Sequence, residues 1–181
     1  MINGMLEKRP SFDPRTMMGG TANALIVSIK NAIKSPGPFL HSFMSHQLNT
    51  SARSQVTSIL KEHNLPDNLF MMLLSPFGLF SLIKQKKREV YPDDILVLMN
   101  MLHSSQALRA SESWAPVCLP GVSPDGFIYA YIYFFTKNIG LVAVTDSTSS
   151  DMFDSLKQKS QAIFKVCNTK SYLILIFSNR N

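Results

Sequence analysis

Cysteine is scarce: the 181-residue chain has two, Cys118 and Cys167. Two thiols with no companions exclude a disulfide framework and a cysteine-based zinc site, and this usage fits the cytosol best. Acidic residues are also few, 12 against 18 Lys and Arg, for a net charge of +6. The excess is spread out except at Lys84-Gln85-Lys86-Lys87-Arg88. Such a balance permits an acidic partner or an anionic surface without demanding one. No apolar run is long enough for a membrane helix. Phe127 to Thr145 comes nearest, but Lys137-Asn138 interrupts it and its pattern is that of strands. The start, MINGMLEKRPSFD, lacks the apolar segment of a signal peptide. A phosphate loop, a GxGxxG turn and an HExxH pair are missing too.

Hydrophobic residues are plentiful, at 45%. That supports a packed core and argues against wholesale disorder. The most informative stretch is Ser104 to Phe135, which holds the single tryptophan, Trp114. Phe127, Tyr129, Tyr131, Tyr133 and Phe135 recur every second residue, with Ile128, Ala130, Ile132 and Phe134 between them. This predicts a strand inside a sheet, covered on both faces. Trp114 to Pro120 predicts a shorter strand with prolines, which belongs at an edge or is interrupted. Gly121 to Gly126 is the turn between them, and Arg109 to Ser113 is a polar entry segment.

Residues 1–20 are polar and turn-rich. A helix is predicted from Thr21 to about Lys34 through Leu25, Ile26, Ile29 and Ile33, stopped by Ser35-Pro36-Gly37-Pro38. Phe39 to Met44 is a short apolar segment. A second helix spans about Ser51 to His63 through Ala52, Val56, Ile59 and Leu60, capped by Asn49 or Thr50. Apolar stripes on two helices without a sheet need a cover. Either these residues end a domain begun elsewhere, or they pack on the strands and helices after them. Past Asn64–Asn68, strands are expected at Leu69–Leu74 and Leu79–Ile83. A helix opening at Tyr91-Pro92-Asp93-Asp94 comes next, with Ile95, Leu98, Met99 and Leu102 on one face. A strand at Ile139–Thr145 and a helix at Asp151–Val166 complete the set. The order from residue 69 is strand, strand, helix, three strands, helix. That is the order of a longin (roadblock-like) α+β domain with a five-stranded antiparallel sheet flanked by helices. Tyr172–Phe177 is a further apolar run without a visible partner strand.

Chemistry-bearing candidates each have a plainer explanation. Gly19-Gly20-Thr21 reads as a capping turn rather than an anion site. His41, His46, His63 and His103 form no pair on one helical face. Cys118, between Val117 and Leu119, reads as a buried structural thiol rather than a nucleophile. Asp93 and Asp94 are explained by the helix start, not by acid–base catalysis. The Lys84–Arg88 run reads as a solvated hairpin end, with contact to acidic lipid or protein as the alternative. Tyr129, Tyr131 and Tyr133 resemble a base-stacking row, but no basic residue shares their strand, so a core or interface role is preferred. Arg109 and Glu112 suit a recognition loop or a local ion pair. No residue is assigned as catalytic, cofactor-binding or metal-ligating, and no cofactor is expected. The residues favour protein binding over catalysis.

PSFDPRTMMGGT, PGPFLHSFM and YPDDILVLMNMLHSSQALRASESWAPVCLPGVSPDGFIYAYIYFF resemble the vacuolar fusion protein Mon-one family, also called SAND. SESWAPVCLP followed by GFIYAYIYF is its most recognisable block. The match covers about residues 8–166, with plant-type members nearest. Family members carry three longin domains and pair with a second tri-longin protein of the Ccz-one type. The heterodimer is a guanine-nucleotide exchange factor for the late-endosomal and vacuolar Rab GTPase. It acts in endosome maturation, vacuole fusion and autophagosome fusion, peripherally on those membranes and with no nucleic acid. The resemblance implies that residues 1–65 are the helical end of a first longin domain and residues 66–168 the second. Residues 169–181 are a divergent or truncated tail. The strands of the first longin domain and the whole third domain are absent, which implies that the chain alone is not a competent exchange factor. The rival readings are a longin-type adaptor without exchange and a single-strand nucleic-acid binder using the tyrosines.

Overall fold

The computed structural model describes residues 45–46, 48–75, 78–110, 112–124 and 126–169, together with Ile26, Ile29, Lys30 and Ile33. The expectations for residues 1–20, Phe39–Met44 and Tyr172–Phe177 lie outside these residues. Five antiparallel strands form one sheet in the order β2-β1-β5-β4-β3. They are β1 (Asn68–Ser75), β2 (Gly78–Lys84), β3 (Ser113–Val117), β4 (Ile128–Thr136) and β5 (Ile139–Thr145). Helices α1 (Thr50–Glu62), α2 (Pro92–Ser104), α3 (Gln106–Ala110) and α4 (Ser150–Thr169) surround it.

The continuous apolar runs of β1 and β5 are buried at every position, as expected of strands paired on both sides and covered on both faces. β3 is the edge its proline requires: Pro116 is exposed and no strand lies beyond it among the described residues. The strand stops at Val117, before Pro120, and Phe127 stands outside β4, 66% exposed. Alternation on β4 separates the two cores. Ile132, with Phe70, Met72, Leu74, Val142 and Val144, packs under Ile95, Leu98 and Leu102 of α2. Tyr131, with Met71, Leu73, Leu141 and Ala143, packs under α4 and α1.

Helix α1 therefore belongs to the core of this sheet. Val56, Ile59 and Leu60 are buried against it. Asn49 supplies the N-cap, accepting the Ala52 N–H at 2.7 Å. The residues before it close part of the β2 edge. Ser45 bridges Leu79 in parallel, and the His46 N–H donates to the Leu79 carbonyl at 2.9 Å. Arg53 donates to the carbonyls of Phe80 (3.0 Å) and His46 (2.6 Å), and the His46 ring stacks on Phe80 at 4.2 Å. One guanidinium thus holds the preceding segment, the helix and the edge strand together. The earlier helix differs: Ile26, Ile29 and Ile33 are helical but exposed at 48%, 52% and 75%.

Two elements depart from expectation. The polar entry to β3 contains the short helix α3, whose five residues show no helical apolar stripe because none of them is buried. Helix α4 runs on to Thr169, so Cys167 lies inside it, buried. Desolvation pushes that thiol up to about 11, which leaves it an inert core group at neutral pH.

Candidate functional site

The Ser104–Phe135 stretch forms a seam between the β3 edge and α4. Cross-strand partners share a sheet face, and Trp114 pairs with Tyr131. Both therefore face α4. Trp114 stacks on Tyr129 at 5.4 Å and meets Phe153 of α4 edge-on at 5.9 Å. Tyr131 also meets Phe153, at 5.8 Å. These aromatic contacts add to their area burial by about 0.5–1.5 kcal/mol each.

A polar network is set into this apolar seam. The Tyr131 hydroxyl donates to Glu112 Oε1 at 2.5 Å. Glu112 Oε2 meets Lys157 Nζ at 3.1 Å. Ser160 Oγ lies 2.8 Å from both the Tyr131 hydroxyl and the Lys157 carbonyl, so its proton serves either acceptor. Burial first, then the bond to Glu112, holds the Tyr131 hydroxyl well above the usual tyrosine range. It stays protonated and acts as a structural donor. Lys157 is half-exposed, so its ion pair contributes little by itself. Glu112 pairs with Lys157 of another element, which decides between a local ion pair and an open recognition loop for this residue. Arg109 sits half-buried on α3, and its Nε has no partner.

The three tyrosines are not an open stacking row, because Tyr131 is fully buried beneath α4. The expectation of a buried Cys118 is corrected: it is half-buried, since β3 ends one residue earlier at the sheet edge. The helix start accounts for exposed Asp93 but not for all of Asp94, which is 2% exposed. Its Oδ1 accepts the Gly121 N–H at 3.2 Å, tying the β3–β4 turn to α2 across 27 residues. Its Oδ2 is buried without a partner. A Cβ on Gly121 would stand 2.5 Å from that oxygen and from Tyr91 Cδ2, so any side chain there forces the Asp94 carboxylate and the Tyr91 ring to shift.

Desolvation raises the Asp94 carboxyl above its ordinary value, against the backbone hydrogen bonds from the turn, which lower it. The folded state therefore binds this proton more tightly than the unfolded chain. Stability from this group is full below the unfolded value of 3.8 and is lost as pH rises through the higher folded value. In denaturant titrations across pH, the parent is expected to gain on Asp94→Asn as pH falls toward 3.8. A constant difference between the two would refute this.

Among the described residues no group of His, Cys, Asp or Glu could hold a metal ion, and no helix is long and apolar enough to cross a membrane. The basic run starts at Lys84, the last residue of β2. Lys86, Lys87 and Arg88 are exposed, and Arg88 Nη2 lies 3.6 Å from Asp146 Oδ2. The described geometry is a sheet covered on both faces, with aromatic and charged side chains at its edges and ends.

Residues 66–165 match the family described as the second longin domain of FUZ, MON1 and HPS1. The chain is 34% identical to a vacuolar fusion protein MON1 homolog of Oryza sativa over 96% of its own length and 30% of the relative's. It is 32% identical to the Arabidopsis thaliana homolog over 98% of this chain and 28% of that one. With MON1 of Yarrowia lipolytica it shares 30% identity, over 95% and 32%. Among solved structures, Myxococcus xanthus MglB aligns with a TM-score of 0.44 and 13% identity, over 70% of this chain and 96% of that one. The chain thus spans about 30% of the length of the curated relatives it matches. It carries the second longin domain of FUZ, MON1 and HPS1 and belongs to the family of the vacuolar fusion proteins MON1.

Proposed function

We propose that this chain is part of a subunit of a heterodimeric guanine-nucleotide exchange factor for a late-endosomal or vacuolar Rab GTPase. It pairs with a second tri-longin protein of the Ccz-one type and meets the endosomal or vacuolar membrane peripherally. The processes served are endosome maturation, vacuole fusion and autophagosome fusion. The observation that carries the reading is the similarity to vacuolar fusion proteins over 96% of the chain. Exchange calls for no covalent step. A factor of this kind binds the nucleotide-free GTPase more tightly than the loaded one and so shifts the equilibrium toward release. A sheet whose edges and ends present aromatic and charged groups suits such a task.

The test is release of a fluorescent guanine nucleotide from the cognate Rab, measured with this chain, with the partner and with both. The expected result is that the chain alone leaves the intrinsic rate unchanged, yet binds the partner. Full-rate release by the chain alone would overturn the two-subunit requirement. Failure to bind either partner or Rab would sink the reading. Binding to the partner without any acceleration by the pair would favour a longin adaptor.

A further inference from the structure

The β2 edge of the sheet is covered by side chains and a short stretch of backbone. The β1–β2 register passes from Leu73↔Ser81 to Leu74↔Leu79 and leaves Phe80 without a partner on β1. A bulge of this kind frees backbone groups that need another partner. Arg53 of α1 supplies one: its Nη1 donates to the Phe80 carbonyl at 3.0 Å, and its Nη2 to the His46 carbonyl at 2.6 Å. The segment so held reaches the neighbouring residue. The His46 N–H donates to the Leu79 carbonyl, and Ser45 bridges Leu79 in parallel. The His46 ring lies flat on Phe80, and its Nε2 is 2.5 Å from Ser75 Oγ at the end of β1. Beneath this cover β2 is apolar on both faces, with Phe80 and Ile83 in one core and Leu79 and Leu82 at the other. Among the described residues no strand lies beyond it. An uncovered edge of that composition pairs with its like.

We propose that Ser45 and His46 form a strap, locked by Arg53, over a cryptic strand-pairing edge, and that β2 of a second copy of this chain occupies the edge when the strap opens. The edge is self-complementary. Antiparallel pairing about a two-fold axis at Leu82 sets Leu82 on its twin and Ser81 opposite Ile83. It keeps the two Lys84 side chains apart and places each at the level of Phe80 in the other copy. In the closed chain that level is held by Arg53, on the Phe80 carbonyl. A copy approaching a closed edge therefore brings a lysine onto a guanidinium, and like charges opposite each other disfavour pairing. Arg53 thus excludes the copy twice, by holding the strap and by its charge. A single lock makes the closure conditional: whatever draws the segment ahead of α1 off Arg53 opens the edge.

The full chain and Arg53→Ala are compared by residue-level hydrogen exchange and by sedimentation over a concentration series. In dilute Arg53→Ala the His46 amide is expected to exchange at least about tenfold faster, the weight of one charge-assisted hydrogen bond. The amides of β5, separated from β2 by β1, are expected to keep their rates. At high concentration the variant is expected to dimerise at least about tenfold more tightly than the parent, with the β2 amides slowed. Arg53→Lys keeps the charge but not the fork that spans two carbonyls, so it is expected to open the strap and stay monomeric. Arg53→Gln, uncharged with a long stem, repeats the test should Arg53→Ala not fold. An unchanged His46 rate would overturn the lock. Faster exchange in β5 as well would make Arg53 a general stabiliser and overturn it too. A variant that opens yet stays monomeric, or whose dimer leaves β2 unprotected, would rule out the second copy. So would protection of β2 that appears only when a longin partner is added.

Discussion

Leu60→Ala is expected to lower the unfolding free energy by about 3–5 kcal/mol, measured from denaturant midpoints at constant slope. Leu60 is fully buried, in the core cluster that also holds Met71, Leu73, Phe80 and Ile83 of the sheet and Leu156 and Ile163 of α4. Its removal costs the transfer of the lost methyl and methylene groups and leaves a cavity beneath α1 that a paired sheet cannot collapse to fill. Domains of this size are stable by about 5–15 kcal/mol, so this one change removes a large share. Ile33→Ala is the control. That side chain occupies the same kind of helical apolar stripe but is 75% exposed, and its loss is expected to stay within about 0.5 kcal/mol. Equal effects would mean that α1 is not part of the sheet's core. The family match begins at residue 66, four residues beyond α1, so the experiment also asks how much of the folded unit lies ahead of it.

Tyr131→Ala is expected to cost about 3–5 kcal/mol, as a buried aromatic replaced by a methyl does. Tyr131→Phe separates the ring from its hydroxyl. It keeps the contact to Phe153 at 5.8 Å but leaves Glu112 Oε1 and Ser160 Oγ without their shared partner. Its expected cost is about 1.5–3 kcal/mol, the loss of a hydrogen bond to a charged group, since Ser160 Oγ keeps the Lys157 carbonyl and Glu112 keeps Lys157 Nζ. Glu112→Gln in the Tyr131→Phe background then adds less than it does alone, because the two groups act in one network. Full additivity would show that the hydroxyl and the carboxylate do not work together.

The fold was legible wherever a local pattern reports burial. β1 and β5 show as unbroken apolar runs, β4 as a two-residue alternation, and α2 as a stripe behind Pro92 and two carboxylates. Pro116, which lacks an N–H to give a neighbour, left β3 either at an edge or interrupted, and the sheet order settles on the edge. Helix α3 was not legible, because none of its residues is buried to leave a periodic trace. Nor was the network through Glu112. Its members stand 19 and 29 residues apart along the chain, and no local spacing marks them. The Asp94 clamp had a partial signal, a glycine in a proline-flanked turn. The need for that glycine arises from Tyr91 and the Asp94 carboxylate, which belong to another element.

The sequence by itself determined the elements other than α3, their order and the two apolar faces of β4. Periodicity and backbone chemistry act between near neighbours, and the SESWAPVCLP–GFIYAYIYF block carried the family. Only the tertiary structure decided which of two similar helical stripes is buried. Ile33 faces solvent, while Leu60 meets a sheet surface that exists only once β1, β2, β4 and β5 have paired. It decided too that Tyr131 is a closed core donor and not part of an open aromatic row. A strand's alternation shows that two faces differ, but whether a face is open depends on what packs over it. Here α4 covers Tyr131 and turns its hydroxyl toward Glu112.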